Sequence, residues 1–151
     1  MTFLVYRNED LSVHYWIKDM FQDVAFLTVV DSFPDQITTV PTISIDAGKI
    51  KEELFEIGNR DKVRIRRWYI DIFAKNISQR DDMGYRILDQ SKNGITVYDY
   101  NEGFPPDVSP TNINHMDIVG ISYEPIPVFL QESESLYYRG QVTIVTQNDK
   151  V

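Results

Sequence analysis

Apolar residues between positions 13 and 24 recur as Val13, Trp16, Ile17, Met20, Phe21 and Val24. The intervals i, i+3, i+4, i+7, i+8 and i+11 trace one stripe of a 3.6-residue period, so this segment reads as a helix with one buried face. Asn8 or Asp10 stands where a capping side chain is wanted, and the helix is expected to run to about Asp23. Arg7, His14, Lys18 and Asp23 mostly fall off the stripe. Asp10, Asp19 and Asp23 carry the wrong charge for a helix lying on a membrane surface.

The pattern then changes to β-branched and aromatic runs. Residues 25–33 (with Phe26, Leu27, Val29 and Val30) stop at Pro34-Asp35, and residues 38–45 follow. Two short runs joined by such a turn predict a hairpin. Asp46-Ala47-Gly48 is expected to end the second run. Ile50, Leu54 and Ile57 have helical spacing, but Gly58-Asn59-Arg60-Asp61 is turn chemistry with a strong strand directly after it. A narrow strand over 53–57, turning into one over 63–74, fits better. That strand shows an irregularity. Val63 and Ile65 are apolar on one parity, whereas Trp68, Ile70 and Ile72 are apolar on the other. The switch across Arg66-Arg67 predicts an extra residue there, a β-bulge or bend. It would divide a packed half, 68–74, from a charged half in a projecting hairpin.

Ser78-Gln79-Arg80-Asp81 resembles a capping box, opening a helix with Met83, Ile87 and Leu88 inward. Asn93-Gly94 supplies a left-handed stop. Strands are expected over 95–100, 118–123 and 137–146. Pro125 and Pro127 suit an edge or an exit for the middle one. Residues 101–114, with Gly103, Pro105-Pro106 and Pro110, form the longest loop. Such a loop could dock a partner, though an ordinary surface loop is the simpler reading. The element order α, ββ, ββ, α, β, β, β defines an α+β class: a mostly antiparallel sheet with a projecting β-hairpin and two main helices packed on one face.

Composition narrows the functions. A chain of 151 residues, 42% hydrophobic and 13% aromatic, has the size and content of one folded domain over 1–151. The net charge of -8 and pI near 4.7 disfavour an extended nucleic-acid or membrane face. With no cysteine, disulfides, thiolate metal sites and thiol nucleophiles are excluded. The apolar run over 24–30 is far short of the ~18 residues that span a bilayer, and the amino-terminal segment lacks the basic residues of a secretory signal. Asn76-Ile77-Ser78 is a glycosylation sequon by letter only.

Catalytic motifs do not assemble. Gly48-Lys49 has Ile43 where a phosphate loop needs its first glycine, and no Gly-x-Ser-x-Gly occurs. His14 and His115 are the two histidines and lack metal-ligand spacing. Asp71, Asp81 and Asp82 could together hold a hard divalent ion. The helix macrodipole accounts for the last two more simply, as acids of a first helical turn. No catalytic, metal or cofactor residue is therefore assigned. Arg60, Lys62, Arg64, Arg66 and Arg67 gather five of the fifteen basic residues into eight positions, with Glu52, Glu53 and Glu56 on the expected partner strand. Three readings follow: a nucleic-acid patch, cross-strand acid–base pairing, or a subunit interface formed by these eight residues.

Phe55-Glu56-Ile57-Gly58-Asn59-Arg60, the Arg-rich turn into Trp68-Tyr69-Ile70-Asp71-Ile72-Phe73-Ala74-Lys75, and Gln79-Arg80-Asp81-Asp82-Met83 together resemble the tail terminator (tail completion) family of long-tailed bacteriophages. Val40-Pro41-Thr42-Ile43-Ser44-Ile45 and Tyr138-Arg139-Gly140-Gln141-Val142 sit where that family has strands. The resemblance covers about three quarters of the chain by pattern, excludes the 101–114 loop, and rests on no catalytic residue. It implies a structural virion protein of the head–tail junction, made in the bacterial cytoplasm. There it would form a homo-oligomeric ring, usually of six subunits, that caps the tail tube protein and receives the head connector or stopper. The sheath is a further candidate partner, and genomic DNA would pass through the lumen unheld. An acidic chain agrees with a conduit that repels phosphate. A stopper or adaptor of the same junction is the nearest alternative, and a nucleic-acid-binding module using Arg60 to Arg67 a more distant one.

Overall fold

In the computed structural model, residues 4–31, 40–54, 62–126 and 138–148 are described. The chain forms helix α1 (Val5–Met20) and strands β1 (Thr28–Val30), β2 (Thr42–Leu54) and β3 (Lys62–Ala74). Helix α2 (Ile77–Gln90) follows, with a 3-10 turn at Ser91–Asn93, then strands β4 (Ile95–Asp99), β5 (Thr111–Ile126) and β6 (Tyr138–Asn148). The strands lie in one sheet in the order β1-β2-β3-β6-β5-β4. The β1–β2 pair is parallel and every other pair antiparallel. This is the expected α+β class, with the mixed sheet curled into a half-barrel.

The apolar stripe of α1 behaves as its spacing predicts. Val13, Ile17 and Phe21 are buried, and Trp16, Met20 and Val24 pack partly against the same core. Met83 and Ile87 bring α2 onto that core, so both helices cover one face of the sheet. Opposite them stand Ile43 and Ile45 of β2, Trp68, Ile70 and Ile72 of β3, and Val142 and Ile144 of β6. Each fully buried aliphatic side chain here contributes about 1.5–3 kcal/mol. Tyr123 of β5 wedges between α2 and β6, with its hydroxyl donating to Asp81 at 2.7 Å. A Cβ on Gly84 or Gly140 would come within 2.6 and 2.9 Å of its ring, so these positions need glycine for space.

Several expectations give way. Helix α1 begins at Val5 with Leu4 as an N-cap that makes no side-chain bond. Asn8 and Asp10 lie inside it because both bond across to the sheet. The first two strand runs are not a hairpin: β1 pairs parallel to β2, Thr28 opposite Thr42. The Pro34-Asp35 turn lies outside the described residues. Asp46-Ala47-Gly48 does not end a strand, because β2 continues through a register shift between Ala47 and Ile50. A Cβ on Gly48 would lie 2.9 Å from the Tyr69 ring and 3.0 Å from the Arg67 carbonyl oxygen, so the bulge is seated on a glycine. The described parts of the two expected runs, 42–45 and 53–54, thus belong to one long strand.

The expected extra residue in β3 at Arg66-Arg67 is absent. The β3–β6 register runs unbroken from Arg64 opposite Asn148 to Ala74 opposite Tyr138. The bulge sits on the partner strand instead, where Ala47 faces Trp68 and Ile50 faces Arg66. The β2–β3 pairing extends past the last β6 partner, to Leu54 opposite Lys62. The hairpin tip, with Glu56 and Arg60, lies outside the described residues.

Helix α2 starts two residues before the expected box. Asn76 is the N-cap, and its Oδ1 accepts from the Gln79 amide at 2.8 Å, while Gln79 Oε1 accepts from the Lys75 amide at 3.0 Å. Asp81 and Asp82 therefore stand beyond the first turn, and the macrodipole does not explain them. Gly94 ends the 3-10 turn with a positive φ of 68°, but its ψ of -167° is not the left-handed helical conformation expected of the stop. β5 lies between β4 and β6 and is not an edge; Pro125 faces Gly140 near its end, and Pro127 lies outside the described residues.

Candidate functional site

Three places bring polar chemistry together, and the basic cluster is the first. Arg64 and Arg66 share a face of β3 with Trp68 and Ile70, and are only 4% and 2% exposed. They are covered by the amino-terminal half of α1. Glu9, fully buried, accepts from Arg64 Nη1 at 2.9 Å, Arg66 Nη1 at 3.3 Å and Asn148 Nδ2 at 3.3 Å. Asp10 accepts from Arg66 Nη2 at 2.6 Å and from the Trp68 indole at 3.4 Å. Glu52, opposite Arg64 in register, accepts from its Nε at 3.0 Å and from the Tyr6 hydroxyl at 2.6 Å. The Arg64 guanidinium lies over the Tyr6 ring at 4.4 Å, and that of Arg66 over Trp68 at 4.5 Å. Burial works against the charge of Arg64, yet Glu9 and Glu52 outweigh it and hold that guanidinium above its ordinary pKa.

The eight residues read as a possible interface therefore separate. Glu52, Arg64 and Arg66 are engaged within the chain, which is the cross-strand pairing reading extended to α1. Glu53 is exposed and pairs with Lys51 at 2.8 Å, and Arg67 is exposed on the opposite face of β3. The side chains of Glu56, Arg60 and Lys62 lie outside the described residues. A nucleic-acid patch would need the buried guanidiniums on the surface.

The carboxylates weighed for a metal stand apart. Asp71, on the other face of β3 and 2% exposed, accepts from Arg139 Nη2 at 2.8 Å, Arg139 Nε at 3.2 Å and Gln141 Nε2 at 3.2 Å. Asp81 is held by Arg80 at 3.0 Å and by the Tyr123 hydroxyl. Those two bonds keep its carboxyl below the ordinary aspartate value. Burial, and then the Asp81 carboxylate, push the Tyr123 phenol up to about 12. Among the described residues no group of three or more His, Asp and Glu side chains is placed to hold a metal ion.

The third place is a cleft of about 740 Å³ between α1, the end of α2, β4 and the proline-rich loop after β4. Tyr15, Trp16, Tyr98, Tyr100, Pro105 and Pro106 line it. Tyr15 and Tyr100 stack at 5.3 Å, and Phe104 stacks on Tyr100 at 5.9 Å. Tyr100 is almost fully buried, and its phenol is pushed up to about 12 by that burial. The lining comes from four separate stretches, so no single sequence motif marks it; the run of Tyr98, Tyr100, Phe104 and two prolines was the available signal.

No protein-family profile matches the chain, and no curated protein matches it. Among solved structures, one similar chain comes from the virion of a native gene transfer agent (GTA) particle. The two share 8% identity over 89% of this chain and 92% of that one, with a TM-score of 0.46. At that score the likeness decides nothing about function.

Proposed function

We propose that this protein is a structural component of the bacteriophage head–tail junction, a non-enzymatic ring-former that caps the tail tube and joins it to the head connector. The carrying observation is the agreement between the resembling residues and their places in the fold. Thr42 to Ile45 open β2, Ile70 to Ala74 close β3, Gln79 to Met83 fall in the first half of α2, and Tyr138 to Val142 open β6. Each lies in the kind of element that the terminator resemblance expects, in the same order. The long antiparallel β2–β3 pair that leads directly into α2 is the centre of that pattern.

Work at such a junction is geometric. One ring face would imitate the next layer of the tube, and the other would present a different surface to the connector, so that polymerisation stops at one subunit layer. Of the eight residues read as an interface, Arg67 and Glu53 are the described ones with exposed side chains, and so the ones open to a neighbouring subunit. Arg64 and Arg66 would act from inside, fixing α1 and the hairpin base as one body. The nucleic-acid alternative loses support because these two guanidiniums already face Glu9, Asp10 and Glu52. A stopper or adaptor role uses the same geometry at a neighbouring layer of the junction. Native mass spectrometry and electron microscopy of the purified protein test the proposal, with a closed ring as the expected species. A strictly monomeric protein, even when mixed with its tail tube, would overturn it.

A further inference from the structure

The aromatic cleft beside β4 has the volume of a site that takes a ligand or a peptide segment. Two features define what fits it. The first is the state of the sheet edge. β4 is the last strand in the sheet, and a free edge invites strand addition. Here the Tyr98 amide donates to Ser12 Oγ at 3.0 Å and the Tyr100 amide to Asn8 Oδ1 at 3.1 Å. Helix α1 thus already engages these backbone donors, and an incoming chain must be recognised through ring faces and side-chain polar groups.

The second feature is charge. Arg86 lines the cleft but is bound by both oxygens of Asp23, at 2.6 and 3.2 Å. Asp19 also lines it, with Gln22 as a hydrogen-bond partner and no ion pair among the described residues. Asp19 and Arg86 are the charged residues of the lining, and in sequence the lining stretch after α2 is flanked by acids (Asp99, Glu102, Asp107) with no Lys or Arg from Gly94 to Tyr138. The nearest cation on α1, Lys18, lies 5.8 Å over Tyr15. Asp19 is thus the lining charge left to recognise a ligand, and it favours a cationic group over an anionic one.

We propose that this cleft docks an extended, proline-containing basic segment of a partner protein. Prolyl rings would lie against Tyr15, Trp16 and Tyr98, since a polyproline II chain presents preformed apolar ridges and needs no backbone ladder. An Arg or Lys head would pair with Asp19 at the cleft wall. The inference stands apart from ring formation and does not depend on it.

Tryptophan fluorescence tests it directly. Trp16 lines the cleft, whereas the other tryptophan, Trp68, is 1% exposed in the core. The probe is a synthetic ten-residue peptide alternating proline with arginine; its counterparts carry glycine for proline, or glutamate for arginine. The Pro-Arg peptide should give a saturable change in emission that weakens with salt. Asp19→Asn and Tyr98→Phe preserve shape, while Asp19→Lys, an exposed helix position, should lower affinity about tenfold or more, a loss of ~1.4 kcal/mol. Retained thermal unfolding in each variant shows that folding is not the cause. No change at millimolar peptide, equal binding of the glutamate peptide, or undiminished binding by Asp19→Lys would overturn the proposal. An emission change that tracks the protein's own concentration without peptide, together with self-association in sedimentation, would assign the cleft to a second copy and overturn it equally.

Discussion

The two ends of β3 bury the same face by opposite chemistry. Trp68, Ile70, Ile72 and Ala74 meet an apolar core, whereas Arg64 and Arg66, the next two positions of that face, meet Glu9, Asp10 and Glu52. Alternation is unbroken along the whole strand. What changes is the cover: the middle of α1 presents Val13 and Ile17, and its amino-terminal turns present Glu9 and Asp10. A switch of hydropathy parity in a strand therefore has two structural solutions. The chain can insert a residue, or it can keep its parity and supply buried counter-charges from another element. This protein uses the second, and its half-buried Val63 and Ile65 sit on the outer face.

The largest expected effect comes from breaking the ionic half at its centre. Glu9→Ala removes the fully buried acid shared by two arginines and leaves buried charge undercompensated, which should cost about 3–5 kcal/mol in urea unfolding. On the apolar half, Ile70→Ala deletes a fully buried side chain in the middle of the sheet and should cost about 3 kcal/mol through lost burial and a residual cavity. If Glu9→Ala costs less than 1 kcal/mol in the same assay, the ionic half is solvated and the comparison fails. The complementary experiment replaces the cluster as a unit. A Glu9→Leu, Arg64→Met, Arg66→Met variant should stay within about 2 kcal/mol of the natural protein, because desolvation offsets most of what the ion pairs gain. Asp10 and Glu52 tolerate the loss of their partners since each side chain is partly exposed.

How legible this was in sequence varies along the chain. The α1 stripe, β3, α2, β4 and β6 follow from periodicity and turn chemistry, whereas β2 read as two separate runs because Asp46-Ala47-Gly48 is turn chemistry that the structure absorbs in a bulge. The parallel pairing of β1 was hidden, because a Pro-Asp turn signal in sequence does not say in which direction the next strand pairs. The buried arginines were hidden because parity analysis scores Arg as polar and so as outward. One signal was available. Glu9 lies four residues before Val13 and eight before Ile17, so the buried stripe of α1, extended backwards, contains an acid. Likewise, the core parity of Trp68 and Ile70 extended backwards contains Arg66 and Arg64. Opposite charges at the ends of two core stripes are a readable pattern. The proline-rich stretch was legible as a loop only to residue 110, since Thr111 to Asn114 already pair with β4 at the start of β5, and its stacking on Tyr100 and Tyr15 joins residues nearly ninety positions apart in the chain.

A cap offers a smaller and more local contrast. Asn76 bonds the Gln79 amide at an exposed helix start, and Asn76→Ala should cost about 1 kcal/mol in the same unfolding assay. Loss of much more than that would mean that Asn76 also supports the turn out of β3.

The smallest effects belong to the solvent-screened counterpart of the buried cluster, the Arg80–Asp81–Tyr123 group. The Asp81 side chain is a quarter exposed, so its pairing is weak in energy but visible in titration. Its folded pKa lies below the unfolded value of 3.8, so its stabilisation is present above that pH and is lost as pH falls through the folded value. The stability difference between the natural protein and Asp81→Asn should therefore close only in strongly acidic solution. Tyr123 has the opposite sign. Its phenol, raised from 10.0 to about 12, stabilises the fold fully below pH 10 and loses that contribution between pH 10 and 12. Tyr100 behaves alike for a simpler reason, its burial against α1. In an absorbance titration of the nine tyrosines, these two should ionise last, and Tyr123→Phe and Tyr100→Phe should each remove one late step. Ionisation of Tyr123 near pH 10 would show that its ring does not fill the space between Gly84 and Gly140. The buried and exposed ionic groups would then differ in more than solvent access.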